Sequence, residues 1–147
     1  MSRQPAISDK MITLKKDDYL SIIEYSVQKL PEEACGLIAG IADSAGNKRI
    51  EKVYFLTNTD NSSEHFSMNP KEQLEAVRDM RTNGFQPLGN WHSHPGTPSR
   101  PSDEDKRLAY DSKASYLILS LADRENPVLN SFHIEGTEST KEDLIIV

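Results

Sequence analysis

Three prolines, Pro95, Pro98 and Pro101, constrain this chain more than any other feature. Proline has no N–H to donate and a fixed φ, so neither a helix nor an inner strand runs through such a stretch. Pro95 also biases His94 toward extended backbone, which ends a strand there. The prolines stiffen the loop and reduce the entropy lost in fixing it. On either side, Pro87 to His94 reads as a strand and Ser102 to Ser112 as a helix. The stretch from Gly89 to Arg107, GNWHSHPGTPSRPSDEDKR, is therefore strand, rigid loop, helix.

The rest of the chain alternates similarly. Residues 1–10 read as a flexible arm and residues 11–147 as one domain. Met11 to Leu14 suits a short strand. Leu20, Ile23, Val27 and Leu30 mark one face of a helix over Asp17 to Leu30, which Pro31 stops. Ala34 to Ala42 (ACGLIAGIA) reads as a buried strand. Turn residues Ser44 to Asn47 lead to a hairpin partner over Arg49 to Leu56. Thr57 to Glu64 is a polar loop, and His65 to Met68 a short strand. Asn69-Pro70 opens a second helix with Leu74, Val77 and Met80 or Arg81 inward, closed by Asn83-Gly84. Tyr116 to Ala122, Val128 to Glu135 and Asp143 to Val147 are further strands. Mixed helices and hairpin-linked strands predict a single sheet flanked by helices.

Composition excludes several classes. A chain of 147 residues is one domain's worth and buries a real core. The formal charge of −6, with no run of Lys and Arg, argues against nucleic acid. Ala34 to Ala42 is too short to span a bilayer, and residues 1–10 lack a signal peptide's apolar core. A cytoplasmic protein that meets no membrane is the expectation. One Cys permits neither an intrachain disulfide nor a Cys-rich zinc site. Any metal site must draw on four His and on carboxylates.

Two of those four, His92 and His94, stand at i and i+2. On a strand they share a face with Cα atoms roughly 6.5 Å apart, so both imidazoles reach one ion. Asp105 lies three residues beyond Ser102. That pair reads as a capping box at a helix start, or Asp105 is a third ligand. The residues alone leave both readings open.

His-Ser-His-Pro, Ser102 and Asp105 together resemble the JAMM motif, H-x-H-x(7)-S-x(2)-D, of the MPN/Mov34 zinc metalloprotease family. All four motif positions match. Upstream, Glu33 in PEEACGLIAG occupies the place of the family's catalytic Glu, before a small-residue strand. The resemblance spans nearly the whole chain. It implies an MPN, cytidine-deaminase-like fold: mixed α/β, a single curved, largely antiparallel sheet flanked by helices. It implies one Zn²⁺ held by His92, His94 and Asp105, with water in the fourth position. Glu33 is then the general base and Ser102 the donor to the oxyanion, with capping and oxyanion competing for the one Ser102 oxygen. The implied reaction is hydrolysis of the amide after the C-terminal glycine of a ubiquitin-like protein. The short chain favours a sulfur-carrier substrate whose Gly-Gly tail is held by edge-strand addition. A non-catalytic MPN scaffold and a deubiquitinase-like isopeptidase are the alternatives.

Other reactive residues read as structural. Cys35, close to Glu33 in the chain but among small apolar residues, is a buried, inert thiol and not a nucleophile. His65 is a surface or hydrogen-bonded His, His133 a satisfied one, and Trp91 core. Asp103, Glu104, Lys106 and Arg107 form a solvated helix face.

Overall fold

The computed structural model describes residues 7–147. The elements are β1 (Ile7–Leu14), α1 (Lys16–Lys29), β2 (Cys35–Ala42), β3 (Lys48–Leu56) and α2 (Pro70–Thr82). They continue with β4 (Gln86–His94), α3 (Asp103–Leu108), β5 (Ser115–Ser120), β6 (Val128–Glu135) and β7 (Glu138–Ile146). Apart from a strand expected at His65 to Met68, the order is the one expected from the sequence. The sheet, expected as a single curved one flanked by helices, closes on itself as a barrel in the order β1-β3-β2-β4-β5-β6-β7. Closure depends on β1, which runs parallel to both β3 and β7. The β4–β5 pair is also parallel, and the remaining pairs are antiparallel.

Several boundaries move. β1 begins at Ile7, so Ile7–Lys10 are strand and not arm. Residues 1–6 of the expected arm lie outside the described residues. α3 stops at Leu108 instead of Ser112, because it buries no side chain and has no apolar stripe to extend it. β7 starts at Glu138, ahead of the expected Asp143. His65 to Met68 forms no strand; a single bridge joins Met68 to Asn58.

Both longer helices turn part of the expected face outward, while Ile23, Leu30 and Met80 point inward as expected. In α1, Ile22 and Ser26 are buried, with Tyr19, Ile23 and Leu30 packed beside them, while Leu20 and Val27 are exposed. A polar residue at the buried position 26 concealed the stripe. In α2 the inward residues are Ala76 and Met80, and Leu74 is exposed. Asn69 caps α2 as expected, its side chain accepting from the N–H groups of Lys71 and Glu72.

One main core holds Ile12, Leu14, Ile22, Ile38, Val53, Trp91 and Leu117, with α1 packed onto it. α2 covers the opposite side of the sheet through Ala39, Ala76 and Met80. Trp91 is fully buried and its indole N–H reaches across Gly36 to the carbonyl of Tyr54 at 3.0 Å. A Cβ on Gly36 would sit 1.8 Å from that carbonyl oxygen, so only glycine fits in this close approach. The register fixed there sets Cys35 opposite His92 and aligns β2 with the histidine-bearing end of β4.

Candidate metal centre

His92 and His94 end β4, the central strand between β2 and β5. Alternation along the strand puts both rings on the face opposite Trp91. Asp105 is the third residue of α3, which the rigid proline loop returns toward the strand end. Three donor atoms converge. His92 Nε2 lies 3.1 Å from His94 Nε2 and 3.2 Å from Asp105 Oδ2, and His94 Nε2 lies 3.1 Å from Asp105 Oδ2. Tetrahedral zinc with bonds of about 2.0–2.1 Å holds its donors about 3.3 Å apart. The triangle therefore fits such an ion. Two imidazole nitrogens facing each other at this distance present lone pairs that a shared cation satisfies. Among the described residues this is the one group of three such side chains gathered closely enough for a metal.

The surroundings orient the rings. His94 Nδ1 donates to the carbonyl of Pro98 at 2.9 Å, which fixes the tautomer and turns the Nε2 lone pair inward. The ring of His92 stacks on Phe66, centroids 4.7 Å apart, and its Nδ1 is buried without a hydrogen-bond partner. Burial pushes His92 toward the neutral form, against the pull of Asp105. Burial acts the same way on His94, but Asp105 and the Pro98 carbonyl outweigh it and its pKa is raised. Burial would raise Asp105 too, yet the two histidines hold it well below the usual carboxylate range. A carboxylate that stays ionised beside a largely neutral imidazole is the donor chemistry of a zinc site.

The capping box is present as well. Ser102 Oγ accepts from Asp105 N at 3.0 Å, and Asp105 Oδ2 accepts from Ser102 N at 2.9 Å. The two readings of Asp105 are thus compatible. The expected competition for the Ser102 oxygen does not arise, because a hydroxyl accepts through a lone pair and keeps its proton to donate.

Glu33 precedes β2 and is buried. Burial raises its pKa to about 8; the negative charges of Asp105 and Glu104 add to the effect and His94 opposes it. Among the described residues none hydrogen-bonds its carboxylate. Its backbone is held firmly, with N–H donated to Ser62 and carbonyl accepting from Asn58 Nδ2 at 3.0 Å.

Sequence reasoning missed two organising residues. Ser93, fully buried between the histidines, accepts from Ala34 N at 2.8 Å and donates its own N–H to the Ala34 carbonyl. This clip sets Glu33 beside β4. Asn58 binds the backbone of Glu33, Asp60, His65 and Ser67, and so shapes the 57–69 loop over the site. Ser93 could have been noticed as a polar residue inside a buried strand. Asn58 sits in a polar loop where nothing marks it. His65 is exposed and pairs with Glu104 of α3, so Glu104 is not simply solvated. Cys35 is buried and its thiol is pushed up to about 12 by burial, which removes it as a nucleophile. His133 is satisfied by the Ala114 carbonyl and by Glu142.

Residues 15–135 match the family described as prokaryotic homologs of the JAB domain. The chain belongs to the prokaryotic JAB family. Members of similar sequence include the CysO-cysteine peptidase of Mycobacterium tuberculosis, 28% identical over 93% of this chain and 92% of that protein. The desampylase of Pyrococcus furiosus is 33% identical over 59% of each. A solution structure of a protein from Desulfitobacterium hafniense superposes with a TM-score of 0.85 at 52% identity, covering 93% of both chains. A JAB1/MPN domain protein from Archaeoglobus fulgidus shares the fold, with a TM-score of 0.58 at 18% identity, over 94% of this chain and all of that one. Among the described residues of this JAB protein, no helix is long and apolar enough to cross a membrane.

Proposed function

We propose that the chain is a zinc metallopeptidase that hydrolyses the amide bond after the C-terminal glycine of a ubiquitin-like protein, a sulfur carrier with a Gly-Gly tail. The observation that carries this reading is the convergence of His92 Nε2, His94 Nε2 and Asp105 Oδ2 at 3.1–3.2 Å beside a buried, unpaired Glu33. The named relatives, a CysO-cysteine peptidase and a desampylase, support the reaction class. Intact ligands and a poised carboxyl favour an enzyme over a non-catalytic scaffold.

Zinc at this site supplies Lewis-acid activation of a water and of the scissile carbonyl. Glu33 takes a proton from the attacking water and passes it to the departing nitrogen. Ser102 donates its remaining O–H to the oxygen on which negative charge develops, while Asp105 N–H keeps the hydroxyl in place. His94 stays oriented through Pro98, and Ser93 keeps Glu33 in register. The C–N bond breaks, water supplies the new carboxylate oxygen at the glycine, and the amine leaves protonated.

β4 has neighbours on both edges, so the tail does not add to it as a strand. The alternative is the hollow between the 57–69 loop and α3, where Phe66, Met68, Leu108, Tyr116 and Ile118 adjoin His92 and Asp105. An extended tail entering there brings its terminal carbonyl to the ligand triangle. The test pairs zinc stoichiometry with cleavage of a Gly-Gly-terminated sulfur carrier bearing one further residue. One zinc per chain and release of that residue, abolished by a chelator and unaffected by thiol alkylation, are expected. A metal-free, inert protein leaves the scaffold reading; cleavage of ubiquitin conjugates alone leaves the deubiquitinase-like one.

A further inference from the structure

The metal centre has a second approach, on the side of Glu33. Glu33 lines a small hollow with Tyr25, Leu56 and Asn58, distinct from the hollow beside His92 and Asp105. Tyr25 and Leu56 also line the surface beyond it, where Phe55 forms the floor between α1 and α2. Phe55 is 38% exposed although its inner side packs on Tyr25 and Trp91, with centroids 5.0 and 5.6 Å away. An unbroken course of surface thus runs from the general base to an open aromatic ring.

The backbone along this course is open too. β2 pairs with β3 along its whole length, but β1 meets the other edge only at Lys48 and Arg49. Among the described residues no strand covers that edge from Glu51 to Leu56. Alternate residues of an antiparallel strand present N–H and C=O to each edge, so the outward backbone groups of this segment have no strand partner, although Val53 is buried and the Leu56 carbonyl accepts from Tyr25 Oη at 3.2 Å. The walls are acidic. Glu24 of α1 and Glu72, Glu75 and Asp79 of α2 border the cleft. Asp79 is engaged by Lys52 and Tyr54, and Glu72 by Thr57. Glu24 and Glu75 have no partner among the described residues. Lys29, over the Tyr25 ring, is the cation at the junction with the Glu33 hollow.

We infer that the α1–α2 cleft, floored by Phe55 and the open edge of β3, docks the leaving-amine side of the substrate as an extended, basic segment. The inference rests on the proposed amide hydrolysis for its direction: the departing nitrogen must face Glu33, so the residues beyond that nitrogen enter the Glu33 hollow and continue to Phe55. The tail ending in glycine takes the other hollow. The acidic walls select Lys or Arg in the segment, and the aromatic floor takes an apolar side chain between them. The enzyme therefore prefers carriers bearing a basic extension to those bearing an acidic one.

The test uses one carrier ending in Gly-Gly with three extensions: a single residue, six residues alternating lysine and leucine, and the same six with glutamate for lysine. The basic extension lowers KM about tenfold relative to the acidic one, with kcat little changed. The double variant Glu24→Lys/Glu75→Lys abolishes that difference and cleaves the single-residue carrier normally. Equal KM values for the two long extensions, or discrimination that survives the double variant, overturn the inference. Binding of the free fluorescein-labelled lysine–leucine peptide, measured by anisotropy, separates this from failure of the hydrolase reading. Binding that is lost in the double variant sustains the cleft even if no carrier is cut, and absence of binding to the parent protein removes it.

Discussion

At the residue scale the decisive group is Glu33. The proposed general base must be ionised to act, and burial holds this carboxyl protonated up to about pH 8 in the metal-free protein. In the proposed site a cation on His92, His94 and Asp105 would favour the ionised form, so metal binding and base activation would reinforce each other. Glu33→Gln is expected to keep one zinc per chain and lose about 10²- to 10⁴-fold in kcat, measured by metal analysis beside turnover. The raised pKa also sets the sign for stability. The protonated carboxyl is tolerated at low pH, and the folded state loses stability as pH rises toward 8 and the group must ionise in place. The metal-free Glu33→Gln protein should therefore melt higher than the parent at about pH 8, a gain that is absent at about pH 4. Retained turnover in this variant sinks the general-base role and moves attention to Glu32.

At the element scale, α3 does two jobs with one motif. Its first turn is closed by the Ser102–Asp105 box, and the same Asp105 carboxylate faces both histidines. Ser102→Ala removes a cap worth about 1 kcal/mol and a proposed oxyanion donor worth about 10²- to 10³-fold in rate. Melting and kinetics on that variant should show a small loss of Tm beside a large loss of kcat; loss of folded protein without a separate kinetic effect identifies capping alone. The grouping of His92, His94 and Asp105, the proposed ligands, was legible in the sequence because it is local: strand spacing, prolines and a helix start within fourteen residues, His92 to Asp105. The helix faces were less so. Leu20 and Val27 satisfy helical spacing yet face solvent, because Ser26 and Ile22 take the buried side. Ser93 and Asn58 act through backbone groups of distant residues, and only the folded register brings those groups to them.

At the scale of the whole molecule, barrel closure was not legible, since it joins β1 to β7 across nearly the full chain. A buried polar knot secures the far side of the barrel. Glu142 of β7 accepts from Ser115 of β5 and Ser131 of β6 and pairs with His133, while Lys48 of β3 donates to Ser115. Burial would raise Glu142, but His133 and the two serines hold its pKa below the ordinary value. Such a group stabilises the fold above its unfolded pKa and loses that contribution as pH falls through the folded one. Glu142→Gln should cost about 1–3 kcal/mol at about pH 7 by denaturant unfolding, and the gap from the parent should narrow below about pH 4. An unchanged gap on acidification means the knot acts by packing and not by charge.

The parallel seam between β1 and β7 also has a kinetic meaning. Ile7 lies opposite Lys141, so the last ladder to form closes a loop of nearly the whole chain. Loop closure of that length must be met before its contacts return any stabilisation, and it slows folding. Hairpins β2–β3 and β6–β7 are local and zip early; the histidine strand, flanked by β2 and β5, waits for neither end of the chain. A half-built barrel can therefore already carry a nearly complete set of the proposed ligands, with the seam as its final, slowest stitch.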